Sequence, residues 1–170
     1  WKEEGVKLRD RVAIDAWEAI WGDKDTCAKM AIEARSSHRM SAVAREQAKI
    51  WAAHKDHAEF IRTAEIGLAE HFEWEIYDEN NQTQTTAEKC LIMQDQMLAE
   101  PDGVEPAIRA RCMAWNRLHP EEMNAARDAK NLALAAQFED FYGEGSKATT
   151  AEVCYKIMHN WASAEEMEWV

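Results

Sequence analysis

The chain has 170 residues, 32 Asp and Glu against 20 Lys and Arg, a formal charge of −12, and 46% hydrophobic residues. That length and apolar content suit one compact domain with its own core and exclude a disordered tail. No uncharged apolar run approaches the roughly 18 residues a membrane span needs. An acidic surface also repels phosphate backbones and anionic headgroups, so neither a transmembrane protein nor a nucleic-acid binder is expected.

Six Gly and three Pro leave few helix breakers, and Val and Ile never fall into the alternating runs of strands, so the chain reads as all-α. Eight Trp and eight Met predict a core of large side chains, with Phe and Ile, set between Ala-rich faces. The first twenty residues are charged throughout and hold no apolar signal core, so no targeting peptide is expected.

In chain order, a leading helix is predicted over about residues 4–21, then a short helix that carries Cys27 and ends at Ser36-Ser37-His38. A long helical stretch, about 41–77, follows without Pro and with only Gly67 as an interruption. Within it Trp51, Ala58, Ile61, Leu68 and Phe72 mark one buried stripe. A second short helix, about 87–99, opens on the capping box Thr85/Glu88 and stops at Pro101-Asp102-Gly103. The second long stretch, about 105–142, contains His119-Pro120, where a kink or break is expected. A trailing helix is predicted over about 150–168.

Self-similarity runs through this order. Cys27, Cys90 and Cys154 are 63 and 64 residues apart, and Trp51 and Trp115 are 64 apart. Phe72-Glu73-Trp74 resembles Phe138-Glu139-Asp140, and each leads to a polar loop ending in Thr-Thr-Ala-Glu-Xaa-Cys, at Cys90 and Cys154. Trp17-Glu18 precedes Cys27 in a worn first copy. The architecture expected is an elongated helical bundle of two short-helix/long-helix units of about 64 residues, about 23–85 and 86–149, within one domain over 1–170.

The chemistry-bearing residues are few. Cys27, Cys90, Cys112 and Cys154 are disulfide candidates, and any bridge either pairs a repeat cysteine with Cys112 or joins two repeat starts; Ala48 stands at the position matching Cys112. Asn81 begins an N-x-T sequon, a glycosylation candidate compatible with an extracellular or cell-surface setting, which the reading favours over a cytoplasmic one. His54 and His119 follow the repeat tryptophans closely and are candidates to ligate a haem or another planar cofactor. The loop from Asp78 starts like a calcium-binding EF-hand but has Thr83 at its sixth position and Lys89 at its twelfth, so calcium is not expected. No Glu-x-x-His, His-Glu-x-x-His, Cys-x-x-Cys, phosphate loop or nucleophile elbow occurs, so no metal site is assigned and enzymatic activity is unsupported.

The reading favoured is a non-catalytic binding or interaction module for a protein partner or an apolar small ligand. Its contact candidates are Trp51, Trp115, Trp161 and Trp169. The alternatives are a bundle that carries haem, a metal or a covalent chromophore on His or Cys, and a structural protein that self-assembles as a homo-oligomer.

Overall fold

The computed structural model describes residues 2–77, 83–142 and 151–152. Asn81, Cys154, Trp161, Trp169 and all but residues 151–152 of the expected trailing helix lie outside them; those two are helical.

Seven α-helices and no strand occur among the described residues: α1 Lys2–Trp21, α2 Lys24–Ser36, α3 Ala42–Ala53, α4 Ala58–Glu75, α5 Thr86–Ala99, α6 Pro106–Leu118 and α7 Pro120–Tyr142. A single 3₁₀ turn, Lys55–His57, joins α3 to α4.

The ends of the helices follow from local chemistry. Gly22 stops α1 with φ +84°, a left-handed value that costs glycine little, and its N–H bonds to the Glu18 carbonyl at 2.8 Å. Asp23 then caps α2 by accepting the Thr26 N–H at 2.8 Å, and Ser41 caps α3 by accepting that of Ala44. Thr85 and Glu88 close the expected capping box at the start of α5. Pro106 occupies the first turn of α6, where its missing N–H is harmless.

The long stretch expected over 41–77 is broken, and side chains break it. The Nδ1–H of His57 donates to the Trp51 carbonyl at 2.7 Å, taking an acceptor that a continuous helix would give to Lys55. One turn earlier, His54 Nδ1 accepts the Asp56 N–H at 3.2 Å. Two imidazoles thus supply bonds that the backbone gives up. The register shifts with the break, so His57 is buried at the position where the three-four spacing had placed Ala58, which is exposed. In the second long stretch the break falls at the expected place, between Leu118 and Pro120.

Two compact units divide the chain, residues 1–123 and 124–170, with the boundary inside α7 rather than at any feature that composition marks. In the first unit α1 and α2 pack on α3, α4 packs on α6, and α2 lies against both α4 and α6. Trp17, Ile32, Trp51, Phe72, Trp115 and Met123 are fully buried, set among Ala28, Ala31, Ala48, Ala110 and Ala114. Alanine lets the backbones approach and the large rings fill the space that remains. Glu65 on α4 binds Arg35 of α2 at 3.3 Å and Arg117 of α6 at 3.1 Å, tying three helices at one carboxylate. In the second unit, α7 carries Leu132 and Leu134 exposed.

Candidate functional site

Two junctions in the first unit have the same construction. In one, the Trp51 ring stacks on His57 with centroids 3.9 Å apart and planes 18° apart, and its Nε1–H donates to Glu18 Oε1 at 3.1 Å. His57 Nε2 lies 3.8 Å from that same oxygen. In the other, Trp115 stacks on His119 at 4.2 Å and 13°, its Nε1–H donates to Glu73 Oε1 at 2.7 Å, and His119 Nε2 lies 3.9 Å from that oxygen. His119 Nδ1–H donates to the Trp115 carbonyl at 3.0 Å, as His57 does to that of Trp51. A carbonyl only accepts, so in both histidines Nδ1 carries the hydrogen.

These contacts locate the residues singled out from sequence. Trp51 and Trp115 are core residues with their only polar hydrogen engaged. His119 is partly buried between its tryptophan and Glu73. His54 lies on a groove of 610 Å³ between α1 and the 3₁₀ turn, beside Leu8, Ile14, Arg11 and Asp15. Its ring centroid is 4.9 Å from that of His57, but Nδ1 of each is spent on the backbone. The exposed large aromatics of the first unit are Trp74, 80% accessible, and Tyr77, 63% accessible, at the end of α4. Trp74 stands two residues past the buried Phe72, a helical offset that turns it away from the core.

Cys27, Cys90 and Cys112 are buried free thiols. Cys27 lies at the start of α2, where Trp17 Nε1–H donates to its carbonyl at 3.1 Å. Burial, helped by the charges of Glu18 and Asp23, pushes its thiol above the usual range, which opposes any gain in reactivity from the helix start. Cys90 on α5 and Cys112 on α6 face each other.

A different feature lies open to a ligand. Between α2 and α3 runs a groove of 460 Å³ with a floor of Ala31, Ala34, Ala48 and Ala52 and a rim of Arg35, Arg45 and Lys49. Arg45 and Lys49 are one helical turn apart on α3, exposed, and without an ion pair among the described residues. Sequence reasoning passed over these three cations. Arg45 and Lys49 at i,i+4, with Ala44, Ala48 and Ala52 at similar spacing, were the signal available. Arg35 joins them only through the packing of α2 on α3.

No protein-family model, curated protein or solved structure matches this chain.

Proposed function

We propose that the chain is a non-catalytic helical interaction module whose α2–α3 groove seats an amphipathic helix of a protein partner, apolar on one face and flanked by carboxylates. The observation that carries this reading is the concentration of Arg35, Arg45 and Lys49 around an alanine floor in a chain of net charge −12. Small residues permit close approach of a second backbone, and a cationic rim steers and orients an acidic one. Arg35 is already engaged by Glu65, so Arg45 and Lys49 are the charges left to a partner.

A two-copy origin supports the same reading. Trp17 pairs with Phe72, Glu18 with Glu73, Cys27 with Cys90, Ala48 with Cys112, Trp51 with Trp115 and His57 with His119, which makes two units of about 64 residues. In both, histidine and carboxylate serve the stacking of helices rather than a reacting group. Repeated helical units of this kind commonly present their outer faces to partners.

The test uses a fluorescently labelled helical peptide with Leu and Ala on one face and Glu on both flanks, and a second peptide with Lys in place of Glu. Anisotropy should rise with the acidic peptide only, and the double substitution Arg45→Glu/Lys49→Glu should weaken that binding at least tenfold. Absence of binding by the acidic peptide, or equal binding by the reversed variant, rejects the groove as the site.

A further inference from the structure

Cys90 and Cys112 are fully buried, and their Sγ atoms are 2.7 Å apart, about 0.65 Å longer than the ~2.05 Å of a disulfide bond. The approach is reciprocal: Cys90 Sγ lies 3.4 Å from the Cys112 carbonyl oxygen, and Cys112 Sγ lies 3.5 Å from that of Cys90. Two backbones this close place the side chains in the facing positions that a cross-link needs. Cys27 has no such neighbour: its Sγ reaches the Gly22 carbonyl at 3.9 Å, and Ala48 stands 64 residues before Cys112.

We propose that Cys90 and Cys112 are a thiol–disulfide exchange site that takes a low-molecular-weight disulfide as its oxidant and closes one cross-link between α5 and α6. The reaction is gated by α5. Hydrogen bonding with Cys90, then burial, holds the Cys112 thiol far above the usual range, so the closed pair stays protonated. α5 packs chiefly on α6 and leaves Ile92 and Leu98 exposed, which makes it the helix that opens most readily in this unit.

Once α5 opens, the Cys90 thiol loses its proton to solvent and its thiolate attacks one sulfur of the oxidant. The oxidant's S–S bond breaks, one half leaves as a thiolate and takes up a proton, and Cys90 carries the other half as a mixed disulfide. When α5 closes, Cys112, deprotonated in turn, attacks Cys90 Sγ and expels that second half, which is protonated likewise. Two protein thiols are oxidised, and one small disulfide is reduced to two thiols.

The test incubates the native chain with oxidised glutathione, quenches in acid, alkylates free thiols under denaturing conditions and maps the peptides by mass spectrometry. The expected product has lost the mass of two hydrogens, with Cys90 joined to Cys112 and Cys27 alkylated. Cys112→Ala should stop at the mixed glutathione adduct on Cys90, and Cys27→Ala should leave the cross-link unchanged. Alanine already occupies the corresponding place at Ala48, so Cys112→Ala has a precedent within this core. A wild-type chain that stays fully reduced, that accumulates only mixed adducts, or that joins Cys27 or Cys154 to any partner overturns the assignment.

Discussion

The Trp51 carbonyl and the His57 ring are bound to each other at 2.7 Å while the two aromatic rings stack at 3.9 Å. One histidine therefore ends α3, redirects the chain into α4 and fills the core beside a tryptophan. Replacing it by alanine removes the stacked ring and leaves a buried carbonyl without its donor. His57→Ala is expected to cost about 2–4 kcal/mol in urea unfolding, the sum of a cavity and an unpaired acceptor. His119→Ala should cost less, because its ring is 30% exposed and Pro120 still breaks the helix without it.

Glu65 carries two arginines from different helices at 3.3 Å and 3.1 Å. Glu65→Ala strands both guanidinium groups at the α2–α4–α6 junction, and the expected loss is about 1 kcal/mol, shrinking as salt is added because the arginines are partly exposed. Equal losses at low and high ionic strength would show that packing, not charge, makes the contribution.

The α2 cap gives a pH dependence of known sign. The Thr26 backbone N–H, then its hydroxyl, donates to Asp23 and holds its carboxyl below the ordinary value of 3.8. A carboxylate favoured in the folded state contributes stability above that ordinary value and loses it as pH falls through the lowered one. In thermal unfolding, the melting temperature of wild type relative to Asp23→Asn should be flat above pH 5 and fall below about pH 4. A difference that stays constant across this window would mean that the charge on Asp23 contributes nothing.

Oxidation of the Cys90–Cys112 pair should stabilise the first unit. The bridge spans 22 positions, and constraining the unfolded chain over a loop of that size is worth about 3 kcal/mol. The duplicated construction adds a second expectation. Ala48→Cys places a thiol on α3 opposite Cys27, and the same oxidant should then join Cys27 to that introduced thiol in addition to closing the native pair. Failure of the added bridge would mean that the α2–α3 and α5–α6 packings differ at this level.

Much of the helical order was legible because helix ends are local events. Thr85 with Glu88, and Pro120, act within a few residues of themselves. The break at 54–57 was not legible, since it arises from imidazole bonds to the backbone that no propensity scale records, and it moved the buried position from Ala58 to His57. Size and aromaticity marked Trp51 and Trp115 without telling which way they face. That was decided by Glu18 and Glu73, carboxylates on α1 and α4 that accept their Nε1–H. The Cys90–Cys112 contact and the rim of Arg35, Arg45 and Lys49 each need two helices to be placed first. Spacing along one helix shows only half of each.

The most direct test of the interaction-module account is a heteronuclear NMR titration of the isotope-labelled chain with the acidic-flanked helical peptide. Shifts concentrated at the amides of Ala31, Ala34, Ala48 and Ala52 and at the Arg45 and Lys49 resonances, abolished in Arg45→Glu/Lys49→Glu, are the result predicted. An unchanged spectrum, or shifts gathered around Trp74 and Tyr77 instead, would contradict it.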